Sequence, residues 1–274
     1  MADPTTGSAL LLPARQYAQI ARMWVRAALA YPASFAMFAV GSFLGTGLDF
    51  VGIWVMFTRI DSLGGFTLHE IGLLYGVTGV GIGVADLLIG NVERIGMMVR
   101  TGELDVMMTR PAPLLVQVCA DHFALRRLAR ITQATLVLGW GATAVDWTPA
   151  RVLVAALTVV ASSVIFFCLF VGFSTFQFWW GDASEFANAF TYGGNTLTQY
   201  PLTVFPRELV VVLTTVMPIA FVNWYPCLFL LGRDDPFGLP GWLQVASPLA
   251  AAVLLAATLA FWRVGVRHYT STGS

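Results

Sequence analysis

Long apolar blocks separated by short polar stretches set the plan of this chain. A helix needs about 20 mostly apolar residues to cross a bilayer. Blocks of roughly that kind fall at 33–57, 71–90, 131–145, 152–176, 209–231 and 243–264. They predict an all-α integral membrane protein with six transmembrane helices. The block at 131–145 is short, and Arg126, Arg127 and Arg130 just before it are expected to snorkel to the interface. The block at 209–231 holds Pro218 and Pro226. It reads either as one kinked span or as a span with a re-entrant turn, since broken helices are tolerated where protein or water covers the freed backbone. Ahead of the first block, 16–31 sets Tyr17, Ile20, Met23, Trp24 and Ala27 at helical spacing, with Arg15, Arg22 and Arg26 on other faces. This pattern predicts an interfacial helix leading into the membrane. The resulting plan is a cytoplasmic segment at 1–32, a transmembrane domain at 33–264 and a cytoplasmic tail at 265–274.

The stretch 91–113 breaks the apolar pattern between the second and third blocks. It carries six of the thirty formal charges, interleaved with Ile95, Met97, Met98, Val99, Leu104, Val106, Met107 and Met108. A simple return loop needs only a few polar residues. This mixture predicts a short amphipathic helix at the cytoplasmic surface, one face packed and one face offered to a partner. Thr101 could cap the turn, and Glu103 and Asp105 near a helix start are favourable. A solvated capped loop is the plainer reading of the same residues.

Composition narrows the function. Hydrophobic residues make up 57% and charged residues 11%, well below the roughly 25% of an ordinary soluble domain. All fifteen basic residues are arginine. A Walker A loop needs a lysine on its phosphates, so the glycine-rich run Gly76–Gly83 cannot be one. It reads instead as a surface on which helices pack closely, as does the pair Gly41 and Gly45. A Schiff-base lysine is excluded too. With the N-terminus inside, Arg15, Arg22, Arg26, Arg94, Arg100, Arg110, Arg126, Arg127, Arg130, Arg207, Arg263 and Arg267 fall in the cytoplasm, and Arg59, Arg151 and Arg233 outside. The first span is expected to act as an uncleaved insertion signal. Cys119, Cys168 and Cys227 show no metal or disulfide spacing and read as small buried hydrophobes. No catalytic motif appears: Ser162-Ser163 lacks a G-x-S-x-G setting, and His69, Glu70 and His122 read as structural.

Asp49 and Asp86 stand inside apolar blocks. Acids at membrane depth are costly, which makes both candidates for a translocation path. A secondary carrier would need at least one of them. Each could instead pair with a neighbouring arginine or face water. The aromatic cluster from Phe166 to Trp180 could line a path, but packing or an interfacial belt is the simpler reading. Tyr200, Pro201, Pro206 and Arg207 precede an apolar block. They read as a membrane-entry cap or as a hinge, because proline fixes the angle of entry and cannot extend a helix inward.

The order of these features resembles one branch of the ABC-2 type permease family. The resemblance is carried by Arg100-Thr-Gly-Glu-Leu-Asp105 followed by Arg110-Pro111, by Thr198-Gln-Tyr-Pro201 with Pro206-Arg207, and by Pro218–Asn223, Tyr225-Pro226 and Leu231-Gly232. It implies the membrane half of an ATP-driven exporter, working as a dimer with itself or a related permease. Two separate ABC ATPase subunits would dock beneath it. It also implies that the segment after the second span is the coupling helix, with Gly102, Glu103, Leu104, Asp105, Arg110 and Pro111 at or near the ATPase contact. On that expectation the chain needs no cofactor, ATP and magnesium are held by the partner, and no nucleic acid is involved. The setting would be a bacterial inner membrane, in keeping with a lysine-free, alanine- and arginine-rich composition. The cargo is left open among drugs, lipids, glycolipids and peptides. A secondary transporter, or an accessory subunit with no path of its own, remains the alternative.

Overall fold

The computed structural model describes residues 5–181 and 184–269; residues 1–4 of the N-terminal segment, 182–183, 270–274 of the tail and the side chains at 5–14, 126, 184 and 186 lie outside them. The described residues form an α-helical bundle. In chain order the helices are α1 (Thr5–Leu29), α2 (Pro32–Met56), α3 (Leu68–Ile89), α4 (Ile95–Thr101), α5 (Glu103–Met108), α6 (Leu114–Ala120) and α7 (Leu128–Gly141). They continue with α8 (Pro149–Thr175), α9 (Gln177–Trp180), α10 (Ser184–Thr198), α11 (Arg207–Thr215), α12 (Trp224–Leu231) and α13 (Ser247–His268).

Among the described residues, four helices are long and apolar enough to cross a membrane: α2, α3, the stretch Pro149–Trp180 and α13. Their starts follow local chemistry. Pro32, Pro149 and Pro248 sit in first turns, where a missing N–H costs nothing. Thr148 caps α8 by accepting from the Arg151 N–H at 3.3 Å. Glu70 reaches back to accept from the Thr67 N–H at 2.7 Å and so fixes the start of α3. Helix α7 is about 21 Å long, short of a bilayer's apolar core. Single 3₁₀ turns, Leu125–Arg127 and Ala142–Ala144, extend it at both ends.

α3 is the centre of the bundle, packed against α7 on one side and α8 on the other. Glycine makes this possible. A Cβ on Gly76 would lie 2.5 Å from the Leu138 Cα, one on Gly79 2.8 Å from the Ala134 Cβ, and one on Gly81 2.6 Å from the Ser162 Cβ. The glycine run is therefore a packing surface. Gly41 and Gly45 behave differently: a Cβ on either meets nothing within 4 Å, and only 6% of the apolar window of α2 is buried. α2 leaves most of its surface to lipid or to another chain.

The stretch 209–231 is not a crossing. Thr203 donates to the Gly64 carbonyl at 3.0 Å, which ties the entry to α11 to the loop between α2 and α3. Arg233, just past α12, donates to the Gly65 carbonyl at 2.8 Å and pairs with Glu70 at 2.7 Å. Both ends of α11–α12 thus lie at one end of the bundle, and the pair is bent by 73°. It is a re-entrant hairpin. Pro218 cannot extend α11, and the chain turns through a 3₁₀ segment, Pro218–Phe221. Asn223 secures the bend by donating to the carbonyls of Leu74, at 3.3 Å, and Thr198. Leu74 lies about 10 Å into α3, so the hairpin enters the bundle only part-way. Arg207 consequently joins Arg59, Arg151 and Arg233 at that end, which corrects its assignment to the cytoplasmic group.

α10 takes over the lengthwise path. It starts beside the turn Val92–Arg94 at the opposite end of the bundle and packs along α3 and α8 until Thr198 meets Asn223. Hydropathy passes over it because its sequence is rich in Asn, Thr and Gly.

Candidate functional site

The charged segment folds as two short helices. Gly102 joins α4 to α5 in the left-handed region, at φ 73°. A Cβ there would meet nothing within 4 Å, so conformation rather than space selects glycine. Ile95, Met98 and Leu104 are almost fully buried and anchor the pair in the core. Glu103, Val106, Met108, Thr109, Arg110 and Pro111 are exposed. Of the six residues expected at a partner contact, Glu103, Arg110 and Pro111 face outward and Gly102 is half-buried. Leu104 holds the helix down instead. Asp105 is half-buried and accepts from the Tyr269 hydroxyl at 2.8 Å, which latches the end of the chain onto α5.

Two buried glutamines fix this surface to the bundle. Gln117 donates to the carbonyls of Met107 and Ala112, both at 2.9 Å. Gln177 accepts from the Gly96 N–H at 2.8 Å and donates to the Glu93 carbonyl at 3.0 Å. The segment is therefore bolted to the end of α8 as well as continuous with α3. An amide within an apolar run was the one sequence sign of this role.

Above it lies a charged network. Asp86 is buried, with Arg127 at 3.3 Å and Arg130 at 3.5 Å. The Tyr192 hydroxyl donates to it at 3.4 Å. Next to this group, Glu93 has one carboxylate oxygen, Oε1, buried with no hydrogen-bond partner among the described residues. Its carboxyl is pushed above the ordinary range, first by burial and then by the charge of Asp86, against the pull of Arg127 and Arg130. The folded state thus favours a protonated Glu93. That contribution is present below the ordinary carboxylate range and is lost as pH rises through the shifted value. Glu93→Gln is expected to unfold about 2–4 °C higher than the native chain at pH 8 and at the same temperature at low pH, as read by thermal unfolding in detergent.

The same network borders a polar cavity of about 360 Å³ between α2, α3, α7 and α10. Thr46 and Asp49 line it from α2, and Tyr75 and Gly79 from α3. Arg130 and Gln133 face it from α7, and Tyr192, Asn195 and Gln199 from α10 and its end. The two acids of the apolar blocks therefore separate. Asp49 lines the cavity, while Asp86 stands behind its wall and holds Arg130. Tyr200 also lines it. Pro201 and Pro206 start the next two helical turns, and Arg207 opens α11.

A profile of ABC-2 family transporter proteins matches residues 43–273. The chain belongs to the ABC-2 transporter family. No curated protein and no solved structure matches it. The match takes in the charged segment, both walls of the cavity and the hairpin, and leaves α1 ahead of it. With four long apolar helices, this ABC-2 protein is a multi-pass membrane protein.

Other candidates of this ABC-2 chain have structural roles. Phe176 stacks on Trp180 at 5.3 Å and meets Phe261 at 5.0 Å, and Phe178 meets Trp262 at 5.5 Å. The aromatic cluster is thus packing between the α8–α9 end and α13. His69 stacks on Trp140 and His122 lies against Trp24, each at 4.2 Å. Cys119 is buried, and burial pushes its thiol up to about 12, which leaves it unreactive.

Proposed function

We propose that this chain is the non-catalytic membrane subunit of an ATP-driven exporter. The observation that carries the reading is the exposed face of α5 and Arg110-Pro111, mixed in charge and apolarity, on a segment clamped to both α3 and α8. A partner ATPase pushing on this face moves two core helices together, because Gln177 and Gln117 transmit the motion without slack. The absence of lysine supports placing ATP and magnesium on another chain. Six crossings then arise from α2, α3, α7, α8, α10 and α13, with α11–α12 dipping in from outside. Both ends face the cytoplasm, and α1 lies at the inner interface. With Arg207 outside, eleven arginines remain inside against four. The sparsely packed α2 offers a face for a second permease subunit.

The test is transport by the reconstituted permease and ATPase pair in vesicles. Export that needs ATP and resists ionophores supports the reading. Ionophore-sensitive transport without an ATPase would replace it with a secondary carrier. That alternative asks an intramembrane acid to release and bind a coupling ion; Asp86 is held by two arginines, which leaves Asp49 as its candidate.

A further inference from the structure

We propose that α1 and the start of α2 form a binding site for an anionic phospholipid of the inner leaflet, with its phosphate on the arginines of α1 and one acyl chain in the groove beside them. The site rests on the reading of α1 as an inner-interface helix and needs no ATPase. Its arginines and most of its groove lie ahead of 43–273, the part that the ABC-2 profile matches. Charge is the first sign. Arg15, Arg22 and Arg26 follow one another at spacings of seven and four, which sets them within about 40° of one another around the helix. All three are exposed. Thr5–Leu29 holds no acid, and none of the three arginines pairs with a described residue. The opposite face is taken by the bundle. Ala21 is buried, the Tyr17 hydroxyl donates to the Leu88 carbonyl at 3.3 Å, and Trp24 lies against His122 at 4.2 Å. α1 is therefore held in place with three unmatched positive charges turned outward.

Apolar surface is the second sign. Met23, Ala27 and Ala30 form an exposed strip beside Arg26, with Met23 and Ala30 three and four positions from it and so next to it on the helix. The strip leads into a groove of about 330 Å³ between α1 and α2, lined by Trp24, Tyr31, Phe35, Phe38 and Phe123. Tyr31 and Phe38 stand open at its mouth, 74% and 62% exposed. A free phosphate would meet the arginines and leave the groove bare. A neutral lipid would fill the groove and leave three guanidinium groups unmatched. A phospholipid with net negative charge satisfies both, because arginine near an anionic membrane surface adds electrostatic attraction to the burial of apolar area. An acidic protein surface would match the charge but has no chain to enter the groove.

Lipid retention tests this directly. The full chain in detergent is mixed with equal amounts of dioleoyl phosphatidylglycerol and dioleoyl phosphatidylcholine, and native mass spectrometry counts the lipids it keeps. Phosphatidylglycerol is expected to be kept about tenfold more than phosphatidylcholine. Arg22→Gln with Arg26→Gln should bring the ratio within about twofold, whereas Arg22→Lys with Arg26→Lys should preserve it. Arg263→Gln with Arg267→Gln removes the same charge from exposed positions on α13 and should leave the ratio unchanged. Ala27→Trp, at an exposed position on the groove, should reduce retention of both lipids. Glycerol 3-phosphate in excess should not displace phosphatidylglycerol. Equal retention of the two lipids, no retention, a ratio lost equally with the α13 arginines, or displacement by the soluble phosphate would each overturn the site. So would a loss of bound ATPase on the Arg22 and Arg26 changes with the lipid ratio intact, which would give the arginines to the partner instead. If the Ala27→Trp protein is not monodisperse, Ser34→Trp on the α2 wall carries the same comparison. Retention needs neither nucleotide nor ATPase. Its failure would remove the lipid site alone, and failure of ATP-driven transport would remove the permease reading alone.

Discussion

Asp86→Ala is expected to cost about 3–5 kcal/mol of stability, the loss that follows when a buried ion pair is broken from one side. Unfolding should fall by roughly 10 °C for a chain of this size. The cause is what remains rather than what is removed. Arg127 and Arg130 both converge on the Asp86 carboxylate, and Arg127 also donates to the backbone carbonyls of Asp86 and Gly90. Without the acid, two guanidinium groups sit in a poorly hydrated space with no counter-charge, since Glu93 is biased towards its neutral form there. They would repel each other and pull α7 from α3. Adding Arg127→Met to Asp86→Ala should recover part of the loss, because one charge is easier to expose than two. Thermal unfolding of the purified single and double variants reads both effects. A single variant as stable as the native chain would mean that water or lipid already compensates the arginines.

Glu103→Arg is expected to reduce the amount of partner ATPase that purifies with the chain by at least about tenfold, near 1.4 kcal/mol, and to abolish ATP-driven transport with it. Glu103 is exposed at the start of α5, so the permease itself should unfold within about 0.5 kcal/mol of the native chain. Asp105 makes the contrast. Its carboxylate is taken by Tyr269, so Asp105→Ala should loosen the latch between α5 and the chain end and lower stability before it touches docking. Docking loss without destabilisation at Glu103, and destabilisation at Asp105, together separate a contact from a brace. Full co-purification and transport by the Glu103→Arg protein would remove the coupling face from the account.

Legibility varied with what surrounds each element. α3, α8 and α13 were readable because their apolar runs are long enough for a bilayer. Their observed starts, Leu68, Pro149 and Ser247, fall within four residues of the expected blocks at 71, 152 and 243. The charged segment was readable as a short helical stretch set apart from the long apolar blocks, yet not how it is split. The pattern gave no reason to bury Leu104 while exposing Val106 and Met108. α10 was missed because its polar residues look like a loop, although they line a cavity within the protein. For the stretch 209–231 the sequence left a kinked span and a re-entrant turn both open. The apolar residues of its second half are covered by α3 and α8, with Ile219, Val222, Tyr225 and Cys227 all fully buried, while Val211, Val212 and Val216 of α11 stay exposed.

The amino-acid sequence by itself determined that the chain is a multi-pass membrane protein, that it cannot bind nucleotide through a P-loop, and that its charged segment after the second apolar block is set apart. These follow from local composition, which counts apolar length and residue types without knowing their neighbours. Only the tertiary structure decided that α11–α12 returns to the end it entered from, that Asp86 is braced while Asp49 is open, and that Gln177 clamps the charged segment. Those outcomes depend on pairs such as Tyr192 with Asp86 and Arg233 with Glu70, more than a hundred positions apart along the chain. Hydropathy measures the cost of leaving water, and that cost is the same whether lipid or protein takes the water's place.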